Sequence, residues 1–312
     1  MDALNAMLLS DKSKAIMLLS SLVKNDSSHV NAYLQLGNLL RENDTDRAIK
    51  IHQMLTVRPN LDSIIRVEIL KSLALDYKKI NDLTKAKIEA EKILEFDKTN
   101  LWANSFLLSL SELNEDWDYA EKKAMDLEKI KGFSGKIDFS NYTLQKGIVQ
   151  LEKNNVAEAE KLFRKAIDKS PEYSLPYKYL GDIKHLSRDL VKAIEYWEKY
   201  MELSTNDSYI VFDSIETALF DLGRYSEVEK FYRKVLENNP KDLNAGLRLA
   251  NVLNEKGENN AALDLIDSFI DEKNPSILIM LMKLKLSLPT KTPAELGHFI
   301  DEILNNVKSV KN

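Results

Sequence analysis

The chain has 312 residues, with 44 lysines and arginines against 49 aspartates and glutamates; a net charge of −5 with no basic stripe argues against nucleic acid as a partner. It has no cysteine, which excludes disulfides and thiolate metal sites, and no apolar run reaches the length of a membrane span. Nine glycines, seven prolines, 30% charged residues and no alternating β-branched runs favour an all-α chain.

Taken in order, the helices fall into pairs. Residues 1–9 supply only a stub of a first helix, whereas residues 11–24 read as a complete second helix with Ala15, Leu19 and Leu22 on one face. Tyr33, Leu36, Gly37 and Leu40 then share one face of a helix, with the bare Gly37 letting its partner approach. The polar turn Asn43-Asp44-Thr45 follows, and Ala48, Ile51 and Leu55 stripe a second helix. A third pair opens over residues 63–79 with Ile69, Leu70, Leu73, Ala74 and Tyr77, and closes through Ala86, Ala90 and Ile93. Trp102, Phe106 and Leu107, then Ala120, Ala124 and Leu127, mark a fourth.

Residues 131–136, with two glycines, interrupt the pattern. They suggest a division into an N-terminal stack over 1–130, a candidate hinge loop over 131–139 and a C-terminal stack over 140–312. A longer loop within one rigid stack is the alternative. Gly147, Ala159, Phe163 and Ala166 carry the fifth pair, and Tyr177, Gly181, Ala193 and Trp197 the sixth. The seventh turns at Gly223 and packs Tyr232; the eighth turns at Gly257 and packs Ala262, Ile266 and Phe269. Residues 276–282 are apolar almost all round and are expected to lie deep between neighbours. A last helix follows Pro293 with Leu296, Phe299 and Ile303.

The small residues of the second helices, Ala15, Ala48, Ala86, Ala120, Ala159, Ala193, Val228 and Ala262, are spaced by 33, 38, 34, 39, 34, 35 and 34 residues. A period near 34 is that of tetratricopeptide (TPR) helix pairs. Pro171 and Pro240 fall twelve residues after Ala159 and Val228, where that motif closes. The predicted fold is an all-α TPR solenoid, a right-handed superhelix of about nine helix pairs.

Catalytic chemistry is not evident. The four histidines His29, His52, His185 and His298 have no metal-ligand spacing, and no phosphate-binding or nucleophile motif occurs. Carboxylates such as Glu195, four residues before Lys199, read as helix-surface ion pairs. The chain is expected to have no active site and no cofactor of its own. What remains is surface. Outward positions of the first helices include Asn38, Arg41, Trp102, Asp182, His185, Asn251 and Asn254. Asparagine there can clamp an extended peptide backbone, and Arg41 can hold a carboxylate bidentately. Each is weighed against simple solvation. His52 sits where a buried aromatic is usual and reads as a satisfied core histidine, while Trp197 reads as packing.

Residues 36–39 with Arg41, then Asp46-Arg47-Ala48-Ile49-Lys50-Ile51-His52-Gln53, resemble the second-repeat motif of the lipopolysaccharide assembly protein B family. Leu73, Asp76 and Tyr77 resemble the same family's next repeat, and Asn43-Asp44 replaces its glycine-containing turn with one residue fewer. The resemblance implies a non-enzymatic adaptor on the cytoplasmic side of a bacterial inner membrane. Its implied partners are the committed-step deacetylase of lipopolysaccharide synthesis, a membrane AAA+ protease that degrades it, and other assembly proteins. A homodimer is left open. Family members carry a membrane-spanning helix before, and a rubredoxin-like iron or zinc module after, the repeats. The abrupt ends of the pattern suggest that this chain is the cytosolic portion alone; a genuinely shortened relative, without anchor or metal module, is the alternative.

Asn38, Arg41, Asp46, Arg47 and His52 are the candidate partner-binding unit. Arg41 and Asp46 are expected to affect folding only through helix dipoles. A generic TPR peptide receptor for chaperones or secretion, or the substrate-binding half of a glycosyltransferase, are the competing readings.

Overall fold

The structure is a computed structural model and describes residues 2–3, 6, 9, 11–130, 134–135, 137–204, 206–270 and 276–309, the side chains of 308 and 309 apart. Seventeen α-helices and one 3-10 turn, and no strand, occur among the described residues. The fold is the all-α TPR solenoid that the spacing predicts.

Contacts gather the chain into two compact units, Met1–Glu152 and Lys153–Asn312. The first holds α1 (Lys12–Asn25), α2 (Val30–Leu40), α3 (Thr45–Thr56), α4 (Ser63–Lys79), α5 (Leu83–Phe96), α6 (Leu101–Leu113), α7 (Trp117–Glu128) and α8 (Phe139–Glu152). The second holds α9 (Val156–Lys169), α10 (Ser174–Leu186), α11 (Leu190–Leu203), α12 (Phe212–Asp221), α13 (Tyr225–Asn238), α14 (Leu243–Glu255), α15 (Asn259–Asp267), α16 (Ile277–Ser287) and α17 (Pro293–Ser309). Of the candidate hinge, residues 131–133 and 136 lie outside the described residues, as do most of residues 1–9.

Local chemistry sets where the helices begin. Asp11, Asp44, Asp82, Asn100 and Asp116 each accept the backbone N–H three residues on, which satisfies a donor that the helix itself leaves unpaired. Most first helices end in one left-handed residue, Asn81, Glu115, Arg188, Gly223 or Gly257. In each case the next N–H reaches back five residues, as from Asp82 to the Tyr77 carbonyl at 2.9 Å. The turn between α2 and α3 differs. Asp44 N–H reaches only to the Leu40 carbonyl and no residue there is left-handed, which is the structural form of the one-residue-shorter turn.

The eight aligned small residues are all buried, none more than 1% exposed. One turn further on lie Leu19, His52, Ala90, Ala124, Phe163, Trp197, Tyr232 and Ile266, all buried too. Each unit therefore has a strip of core that passes from pair to pair. Two expected stripes differ in detail. Val23, not Leu22, joins Ala15 and Leu19 in the core. The α16 helix buries Ile279 and Leu286 against α15, α14 and α17 but leaves Leu278 and Leu281 about half exposed, because those neighbours cover only one of its apolar faces. On α11, Lys199 bonds Glu202 at 2.9 Å instead of Glu195.

Candidate protein-interaction site

The motif residues of the second repeat converge on the third. Gly37 of α2 has no side chain where the His52 ring lies; a Cβ there would come within 2.4 Å of Nε2. The glycine thus makes room for an imidazole, rather than for close approach of the helix backbones. Held in that slot and fully buried, His52 places Nδ1 2.5 Å from Oδ2 of Asp76 on α4. An ionised carboxylate only accepts, so Nδ1 carries the hydrogen. Nε2 faces the Leu34 carbonyl at 3.3 Å.

Asp76 is itself fully buried, and its other oxygen accepts from Arg41 Nε at 2.5 Å. Arg41 Nη2 donates to Asn38 Oδ1 at 2.7 Å, and Asn38 also accepts from the Ser72 hydroxyl at 2.9 Å. Gln53 Nε2 donates to the Tyr77 hydroxyl at 2.8 Å, and Lys79 bonds Glu42 at 2.8 Å. The Lys79 ammonium holds the Glu42 carboxyl below the usual carboxylate range. Desolvating a carboxylate costs several kcal/mol, and two charge-assisted bonds from the preceding repeat offset that cost. Asn38, Arg41, His52 and Gln53 therefore meet Ser72, Asp76 and Tyr77, forming a latch between repeats.

The other sequence-predicted residues lie elsewhere. Asp46 and Arg47 are exposed on the first turn of α3, clear of the latch. Trp102 stacks on Phe106 at 4.7 Å beneath the Lys71 ammonium. In the second unit Asp182 accepts from the Trp197 indole at 3.0 Å and from Lys178 at 2.7 Å. His185 lies 5.6 Å from the Trp197 ring, with Nε2 buried and unpartnered among the described residues. Asn251 accepts from Lys285 at 2.7 Å, and Asn254 stands one turn on along α14. Asp182 and Asn251 occupy the position of Asn38 in their own repeats, and His185 and Asn254 that of Arg41.

Asp76 is the residue that surface reasoning missed, although its place in the resembling segment signalled it. It lies on the apolar face of α4 between Leu73 and Tyr77, where an unpartnered carboxylate would be untenable. Among the described residues no group of three or more histidines and carboxylates is placed to hold a metal ion. No helix there is long and apolar enough to cross a membrane.

This is a repeat scaffold built from tetratricopeptide units, and the Tetratricopeptide repeat family model matches residues 144–208. Across 259 residues, 83% of the chain, it is 22% identical to Lipopolysaccharide assembly protein B of Escherichia coli strain K12. It is 25% identical over 258 residues, 81% of the chain, to the protein of that name from Haemophilus influenzae strain Rd. The chain spans 66% of the Escherichia coli relative's length and 63% of the Haemophilus one's. Among solved structures, that of Naa15/Naa10 bound to HypK-THB is similar at a TM-score of 0.48 and 14% identity, covering 97% of this chain and 45% of that one. A tetratricopeptide repeat protein from Parabacteroides merdae is similar at 0.39 and 15%, covering 92% and 96%.

Proposed function

We propose that the chain is a non-catalytic adaptor that serves lipopolysaccharide assembly by holding proteins together. The observation that carries this reading is the similarity to Lipopolysaccharide assembly protein B over 83% of the chain. The latched repeats support it, because they make a rigid platform of the segment in which the resemblance is most specific. More finely, we propose that this platform engages the committed-step deacetylase of lipopolysaccharide synthesis and a membrane AAA+ protease, at the cytoplasmic face of the inner membrane, and so sets deacetylase turnover. Of the five candidate partner-binding residues Asn38, Arg41, Asp46, Arg47 and His52, Asp46 and Arg47 are the two outside the latch, and they are the contact we assign to the partner.

The test is titration calorimetry of the purified chain with purified deacetylase, repeated with the double charge reversal Asp46→Lys, Arg47→Glu. Binding that the reversal weakens at least tenfold, with an unchanged melting curve, is the expected result. No binding by the unaltered chain would overturn the deacetylase assignment. Equal binding by both proteins would remove Asp46 and Arg47 from it.

A further inference from the structure

Between the ends of α3 and α5, over α4, runs a groove of about 390 Å³. Its floor is apolar, made by Ile69, Leu70 and Leu73 of α4, and Leu61 and Phe96 extend it outward; Arg66, whose guanidinium lies 5.9 Å from the Phe96 ring centre, and Glu89, Lys92 and Glu95 supply its charged walls. Val57, directly after the lining residue Thr56, is 82% exposed, and Phe96 is 53% exposed. Exposed apolar side chains thus stand at the rim beside the charged ones. At the Tyr77 end the polar groups are matched, since Gln53 donates to the Tyr77 hydroxyl.

Glu89 is different. One carboxylate oxygen takes the Lys92 ammonium at 2.8 Å, whereas Oε2 is buried with no hydrogen-bond partner among the described residues. A carboxylate oxygen withdrawn from water and left unpaired is an uncompensated desolvation, and whatever brings a donor to it recovers that loss.

We propose that this groove is a docking site for a partner segment that presents one lysine between apolar side chains. The chemistry selects lysine for two reasons. Its four-methylene stem can lie along Leu70 and Leu73 while the ammonium reaches a single oxygen. An arginine fork makes its paired bonds across a carboxylate only when both oxygens are open, and Lys92 already holds the first, so arginine forfeits its bidentate advantage here. The flanking apolar residues cover Phe96 and Val57. A peptide without the lysine leaves Glu89 Oε2 as it was. The site lies between successive second helices, so it is separate from the first-helix positions singled out by sequence, and its occupant does not depend on which pathway the adaptor serves.

The probe is the acetylated, amidated heptapeptide Ser-Leu-Val-Lys-Leu-Phe-Ser, titrated into the ¹⁵N-labelled full chain and followed by NMR. Perturbed amides at Gln53, Glu89 and Phe96 are expected. So is at least tenfold weaker binding when the peptide lysine becomes norleucine, and a smaller loss when it becomes arginine. Glu89→Gln should weaken the lysine peptide by the same factor and leave the norleucine peptide unaffected. Phe96→Ala on the rim should weaken both peptides. Absence of binding at millimolar peptide, perturbations confined to other repeats, or equal affinity of the wild-type and Glu89→Gln chains for the lysine peptide would each overturn the proposal.

Discussion

Arg41 shows how far a residue's role can move between its position in a sequence and its place in a structure. Its helical register puts it on the outward side of α2, which is correct for its Cα. The side chain then reaches across to Asp76, 35 residues on, and only 17% of it stays exposed. Periodicity tells which face a residue occupies, not where a long flexible side chain ends. The expectation that Arg41 matters to folding only through a helix dipole is therefore replaced. Arg41→Ala leaves a buried carboxylate without its guanidinium, held only by the His52 ring, and should cost about 3 kcal/mol. Asp46→Ala should cost about 0.3–1 kcal/mol, the worth of an exposed charge in a first helical turn. Urea denaturation of the two variants separates these outcomes, and equal midpoints would mean that the latch contributes nothing. His52, in contrast, was legible. A histidine at a position filled elsewhere by Phe163, Trp197 and Tyr232 had to be buried, and a buried histidine needs partners.

At the scale of the helix, the boundaries and their causes were mostly readable, because caps and turns are local chemistry. Residues 63–79 were delimited by sequence as they are in α4. The exposed faces of α16 were not, since an evenly apolar helix carries no signal of how many neighbours will cover it. Two predictions belong here. Glu115 holds φ at 55° where the equivalent turns use Gly223 and Gly257. Glu115→Gly should remove the crowding of a side chain in a left-handed turn and raise stability by about 0.5–1 kcal/mol, net of the chain entropy that glycine adds. A melting temperature unchanged or lower would show that the turn carries no strain.

The other concerns the start of α17, where Thr292 and Glu295 cap one another. Glu295 Oε2 accepts from the Thr292 N–H at 2.9 Å and from its hydroxyl at 2.8 Å, with Pro293 as the first helical residue. The Thr292 backbone bond, the Thr292 hydroxyl and Lys291 hold the Glu295 carboxyl down to about 2. A depressed acid stabilises the fold above its ordinary value of 4.5, and that contribution is lost as pH falls from there through 2. The ¹³C titration of the Glu295 carboxyl should therefore have its midpoint far below 4.5; a midpoint at the ordinary value would refute the cap.

Over the whole molecule, the period of the small residues was the strongest signal, and every one of the eight is buried. Replacing Ala193, which is 0% exposed, with phenylalanine should overpack its helix crossing and cost about 1–3 kcal/mol. A variant as stable as the parent would disprove the alignment of the repeats. What the period could not supply is the way adjacent repeats are bonded, because contacts across 24 to 35 residues depend on side-chain direction as well as spacing. Repeat proteins are often handled as strings of exchangeable beads. Here one bead is not complete. A cut between α3 and α4 leaves the Asp76 carboxylate on one side and the guanidinium and imidazole that bond it on the other. A recombined or shuffled chain would have to carry residues 30–79 as a single cassette, and change to either side of the joint has to be matched on the other.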